Sequence, residues 1–205
     1  MDRFIDTLDI SFAQGKWDSD MFLRARNPYT DVYGDWVQEA DYIANKIPDG
    51  CTSADGLGPR GDEFYVSLIT KDKVKPAVKI SGRMSFYPQM APVLSFCNQF
   101  RLRTDGDYAF DKQIEVVIYN EGINVWRHFG PLVEPNYVRI CYANFEMFPD
   151  TIYNLEVEIN DAEMKISVAD TIIGCYVPEL TEPFHTGILA SEGLNRFYDL
   201  TVRPL

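Results

Sequence analysis

The chain has 205 residues and a net charge of −12, from 31 acidic and 19 basic side chains. A field of that sign repels phosphate backbones and anionic lipid, which disfavours nucleic acid and membrane surfaces as partners, although solubility alone also accounts for it. Hydrophobic content of 46%, with 13 Phe and 12 Tyr, argues against a disordered or fibrous chain, and the length suffices for one sizeable core.

The opening MDRFIDTLDISF is acidic and lacks a long apolar core, so no secretory leader is expected. No apolar run approaches the roughly 20 residues needed to span a bilayer. Residues 5–12 read as a strand, and residues 36–46 as strand or a short helical turn. The stretch 48–62, PDGCTSADGLGPRGD, reads as a loop over one end of the fold. A domain linker is the other reading, disfavoured because the segments before it are too short for a separate core. One domain over residues 1–205 is therefore expected.

Residues 64–70, FYVSLIT, are strand-like, and 78–87 alternate with period two. Val78, Ile80, Met84 and Phe86 share one face, while Lys79, Ser81, Arg83, Ser85 and Tyr87 share the other. Another strand starts at Pro92. The run 104–111, TDGDYAFD, is oxygen-rich but lacks full calcium-loop spacing, and turn chemistry explains it.

Residues 113–128, QIEVVIYNEGINVWRH, form the most informative segment. A tight turn at Asn120, Glu121 and Gly122 pairs Tyr119 with Gly122, Ile118 with Ile123 and Val116 with Val125. One face is then wholly apolar. The other carries Gln113, Glu115, Val117, Tyr119, Asn124, Trp126 and His128, with Glu115 opposite Trp126. A one-residue slip would mix the two faces, so the pattern sets the register. Residues 137–145 follow as a strand. A second hairpin places Tyr153, Leu155, Val157, Ile159, Met164, Ile166 and Val168 on one stripe, with a charged, solvated stripe behind it. Strands over 171–176, 187–190 and 196–202 complete the set. About a dozen short strands between turn residues argue for an all-β, two-sheet antiparallel sandwich or barrel.

Two passages carry a resemblance, YNLEVEINDAEMKISVADTIIG and the terminal FHTGILASEGLNRFYDLTVRP. Their hairpin, Gly-led strand and final strand resemble the concanavalin A-like lectin/glucanase jelly rolls from about Phe64 onward. That likeness implies two stacked sheets, carbohydrate bound on the concave one, glycoside hydrolase or lyase action in some members, and structural Ca2+ near the termini in several. The Glu-x-Asp-x-x-Glu motif of the laminarinase-like glucanases is absent. EVEIND, residues 156–161, ends in Asp and falls on the solvated hairpin.

The Trp126 face has the side chains that bind sugars: aromatic planes for C–H faces, amides and acids for hydroxyls. Trp126 and Tyr119 are expected to stack the ligand, while Gln113, Asn124, Arg83 and Tyr87 orient it. Arg83 would meet an acidic sugar or simply neutralise Glu115. Glu115, His128 and Glu192 are the catalytic candidates, since glycoside hydrolysis usually needs two carboxyl groups. Turn and structural roles compete for Glu192 and His128. Asp199, with Asp2, Asp6 and Asp9 if the termini pair, is the candidate calcium site, and an exposed aspartate is the competing reading. No other cofactor is expected. Cys51, Cys97, Cys141 and Cys175 are widely spaced without a CxxC pair, which points to reduced thiols and a cytoplasmic protein. The expected partner is a small glycoside or oligosaccharide. A non-catalytic sugar-binding or protein-interaction module is the alternative, and it turns on whether Glu115, Trp126 and His128 line an open groove.

Overall fold

The computed structural model describes residues 3–27, 34–47, 64–130 and 135–205. Cys51 and the loop read over 48–62 lie outside the described residues. Within them the strands are β1 (Phe4–Ile5), β2 (Leu8–Ser11), β3 (Phe22–Leu23), β4 (Ala25–Arg26), β5 (Asp35–Gln38), β6 (Ile43–Lys46) and β7 (Val66–Thr70). Next come β8 (Lys73–Val74), β9 (Val78–Tyr87), β10 (Pro92–Leu102), β11 (Tyr108–Tyr119), β12 (Gly122–His128) and β13 (Tyr137–Asn144). The last six are β14 (Tyr153–Asn160), β15 (Glu163–Val168), β16 (Thr171–Tyr176), β17 (His185–Ala190), β18 (Leu194–Phe197) and β19 (Asp199–Pro204). The helical content described is two 3-10 turns, Ser19–Met21 and Pro178–Thr181.

These strands build the expected antiparallel sandwich. One sheet has eight strands in the order β13-β12-β11-β10-β17-β7-β3, with β4 beside β11. The other has nine, in the order β16-β15-β14-β9-β18-β6-β5, with β19 joining β2 to β9. Residues 36–46 form the β5–β6 hairpin rather than a helical turn. Residues 196–202 break at Tyr198 into two strands, both paired with β9.

Period-two alternation explains the core. Ile114, Val116, Ile118, Ile123 and Val125 face inward from the eight-stranded sheet. Val78, Ile80, Met84, Phe86, Leu155, Val157 and Ile159 meet them from the other. Phe96 and Phe184 are fully buried and touch edge to face, with ring centres 6.0 Å apart. Each large side chain taken out of water here contributes about 1.5–3 kcal/mol. The outer face of the nine-stranded sheet is the solvated one. Lys79 pairs with Glu156 at 2.6 Å and Lys165 with Glu158 at 3.1 Å. The string EVEIND lies there, opposite the Trp126 face.

A second apolar cluster sits on the outer face of the eight-stranded sheet. Tyr65, Ile69, Val93, Cys97, Phe110 and Leu189 form it, and Ala25 packs with them. Ser67 Oγ accepts from Ala25 N at 2.9 Å and donates to Ala25 O at 2.8 Å, which ties β4 down. The cluster reaches β11 through Phe110 and Val117, and Trp126 of β12 packs against its margin, so the face is apolar toward β7 and β17 and carries its polar side chains toward β11–β13.

Candidate functional site

The polar part is made by the β11–β12 hairpin. Gly122 has φ +127°, and a Cβ there would stand 2.1 Å from Ala143 O, so only glycine fits this turn. The register is the one the alternation predicts: Tyr119 opposite Gly122, Val116 opposite Val125, Glu115 opposite Trp126, Gln113 opposite His128. Strand β10 extends the row, because Ser95 lies opposite Glu115.

These neighbours form a chain of hydrogen bonds. Gln113 Nε2 donates to Ser95 Oγ at 3.0 Å and to Glu115 Oε1 at 2.8 Å. Tyr65 Oη lies 3.5 Å from the same nitrogen. Glu115 Oε2 and His128 Nε2 are 3.1 Å apart. The Glu115 and His128 side chains are 13% and 15% exposed, so the pair is largely shielded with a small solvent-facing part. Gln113 is only 3% exposed. Its Nε2 is taken up by Ser95 and by one carboxylate oxygen of Glu115.

Trp126 is partly exposed beside this pair. Its aromatic neighbour is Tyr137, edge to face at 5.7 Å, and Tyr137 also approaches the His128 ring at 5.8 Å. Arg139 stands over Tyr142 at 4.3 Å and over Trp126 at 5.9 Å, and it donates to Asn124 Oδ1 at 3.3 Å. Tyr119 shares the face but sits four residues along β11 from Glu115, roughly 13 Å away. The aromatic surface at Trp126 is thus completed by Tyr137 and Tyr142 of β13.

Several expected members stand elsewhere. Arg83 and Tyr87 lie on β9, in the other sheet, so they neither extend the Trp126 face nor neutralise Glu115. The alternation within β9 is as read; which sheet a strand joins is a matter of long-range pairing. Glu192 lies in the bend after β17, where its carbonyl accepts from Ala91 N at 3.0 Å and Asn195 Nδ2 at 2.6 Å. In Glu115's row β17 contributes Gly187. The strand runs three more residues, roughly 10 Å, before that bend, so Glu192 is no close partner for Glu115. His185 bonds Thr70 O through Nδ1 at 2.9 Å and packs on Phe100, a structural role.

The termini do pair, with β19 along β2. Yet Arg83 binds both carboxylate oxygens of Asp199, and Arg203 holds Asp9 at 2.7 Å. In the 104–111 run, Arg103 and Arg26 bind Asp105 and Asp107. On Asp199 the donors are the Arg83 backbone N, to Oδ1, and its Nε, to Oδ2; on Asp9, Asp105 and Asp107 they are guanidinium groups. No cluster of three metal-ligating side chains occurs among the described residues. Of the expected calcium ligands, Asp199 and Asp9 are thus engaged by arginines, and Asp2 lies outside the described residues.

Ser95, Tyr65, Tyr137, Arg139 and Tyr142 were missed from the sequence. In YVRICYANF the outward positions pass from odd numbers (Tyr137, Arg139) to even (Tyr142). That change of phase is the trace of a β-bulge.

No protein-family model matches the chain, and no curated protein matches it. Solved structures do. An endo-acting O-glycanase of the human gut microbiota is similar at TM-score 0.66 and 9% identity, over 97% of this chain and 98% of that one. Carbohydrate-binding module CBM66 from Bacillus subtilis is similar at 0.59 and 11%, over 85% and 98%. The exoplasmic/lumenal domain of VIP36, in a Ca2+/Man3GlcNAc-bound form, is similar at 0.57 and 10%, over 98% and 88%. At such identities the likeness is one of fold: the chain has the two-sheet β-sandwich fold of these structures, consistent with the concanavalin A-like/glucanase type.

Proposed function

We propose that the protein binds a small glycoside or oligosaccharide on the polar part of the eight-stranded sheet. In this reading Glu115 and His128 act on the bound sugar as a proton-transfer pair, in a hydrolase or lyase reaction. One observation carries the reading: a partly exposed Trp126 flanks a carboxylate–imidazole pair whose carboxylate is held by Gln113, itself bonded to Ser95. A sugar ring stacked on the indole would put its hydroxyls within reach of Glu115 and His128. A general acid or base must lie within hydrogen-bond reach of the proton it moves, and a partner at 3.1 Å supplies a relay. The solved neighbours that bind or act on carbohydrate support the same reading.

The test is calorimetry and thermal shift against mono- and oligosaccharides, on wild type, Trp126→Ala and Glu115→Gln. A saccharide that raises the melting temperature of wild type but not of Trp126→Ala supports the site. If the same saccharide is turned over, Glu115→Gln should bind it and lose at least a hundredfold in kcat. No response to any saccharide by a folded wild type removes the proposal. The second reading, a protein-interaction module, draws on β13, an edge strand with Tyr137, Val138 and Tyr142 all exposed.

A further inference from the structure

Resting on the saccharide reading, we infer that the ligand of this site is acidic, and that Arg139 holds its carboxylate. Three observations carry this. First, seven other arginines among the described residues have an acidic partner. Arg24, Arg26, Arg83, Arg103, Arg127, Arg196 and Arg203 pair with Asp35, Asp107, Asp199, Asp105, Glu179, Asp150 and Asp9, while Arg3 and Arg101 have, among those residues, no ion pair and no ring or amide contact of the kind that holds Arg139. Arg139 has no ion pair among the described residues, in a chain where acids outnumber bases 31 to 19. Second, its guanidinium is nonetheless held in place, by the Tyr142 and Trp126 rings and by Asn124 Oδ1.

Third, the backbone is irregular at this point. Val125 pairs with Cys141, but the next residue, Trp126, pairs with Arg139. Ile140 is the extra residue of a bulge, and it packs with Cys141 toward the core. Without the bulge, Ile140 would stand opposite Trp126. With it, Arg139 does. Bulges re-aim side chains in this way beside functional sites.

The row across the face then reads Arg139, Trp126, Glu115, Ser95. Strands lie about 4.8 Å apart, so Arg139 and Glu115 flank Trp126 at roughly 10 Å from one another. A single pyranose on the indole spans that gap. Its carboxylate meets the guanidinium fork on one side, and its hydroxyls or glycosidic oxygen meet Glu115 and His128 on the other. Guanidinium matches a carboxylate with two parallel hydrogen bonds, a fit that lysine does not reproduce. The net charge of −12 opposes an anion only weakly, because salt screens exposed charges beyond about 8 Å.

The probes are trisaccharides of glucuronic, galacturonic and mannuronic acid, each beside its carboxyl-reduced neutral counterpart. Calorimetry would be run on wild type, Arg139→Gln and Arg139→Lys, with melting temperatures to check folding. One acidic trisaccharide should bind wild type at least roughly tenfold more tightly than its neutral counterpart. Arg139→Gln should erase that preference, and Arg139→Lys should keep only part of it. Equal or tighter binding of the neutral sugars, or a preference that survives Arg139→Gln, overturns the carboxylate assignment and leaves the saccharide site standing. Failure of every acidic and neutral probe to bind folded wild type overturns both.

Discussion

Single side chains at this site are decided by what lies directly across the strand. Glu115 is held because Ser95 and Gln113 stand on its own row and beside it, and His128 is held because Glu115 is within 3.1 Å. Asn45 shows the same principle outside the site. It is buried, donates to Gly193 O at 2.8 Å and accepts from Asn195 N at 2.6 Å, so it clamps the 191–193 bend to β6. Replacing Asn45 with Ala leaves both backbone groups unpaired and should cost about 1–3 kcal/mol in urea unfolding. Burial also pushes the Cys97 thiol up to about 12. At pH 8 only about one molecule in ten thousand then carries the thiolate, which is the reactive form. Iodoacetamide labelling mapped by mass spectrometry should leave Cys97 unmodified in the folded protein and modify it in denaturant.

Elements differ in what their alternation exposes. Hairpin β14–β15 turns a charged stripe outward. Hydrogen bonding from Lys79 lowers the Glu156 pKa below its ordinary 4.5, with the ammonium charge adding to the effect. A carboxyl depressed in the folded state stabilises above its unfolded value, and that contribution is lost as pH falls through the folded value. Lys79→Met should therefore be less stable than wild type above about pH 5. The gap should close as the pH drops below 4.5 and past the depressed folded value. Both side chains are about one-third exposed, so the gap should stay under about 1 kcal/mol. Paired melting curves from pH 7 to about pH 3 would show it, and a constant gap would refute the assignment. Hairpin β11–β12 was legible to the residue, since slipping it by one would bury Glu115 and expose Ile114. The bulge in β13 left only a change of phase in YVRICYANF, a pattern that an ordinary strand end also produces.

At the scale of the whole molecule, the two sheets share one continuous core, while the divided outer face is a product of assembly. Phe96→Ala, at the centre of that core opposite Phe184, should cost about 3–5 kcal/mol, read as a lower denaturation midpoint with an unchanged slope. The Trp126 platform should keep its register in that variant, because the β11–β12 and β12–β13 ladders involve no residue of β10 and alanine keeps the backbone groups with which Phe96 pairs to Ile114. The aromatic signal of the platform in near-ultraviolet dichroism below the midpoint would check this.

By itself the sequence determined most of the longer strands, the faces of β9, β14 and β15, and the register of the β11–β12 hairpin. Those features depend on neighbours a few residues apart, and period-two alternation encodes them directly. Only the tertiary structure decided that β9 carries Arg83 and Tyr87 to the opposite sheet and that Glu192 stands away from Glu115. It alone showed that arginines occupy Asp199 and Asp9, and that Tyr137, Arg139 and Tyr142 complete the surface beside Trp126. Each of these rests on pairing between strands far apart in the chain or on a single-residue bulge. Local patterns carry no information about which strands meet, because every buried strand presents the same alternation to any partner.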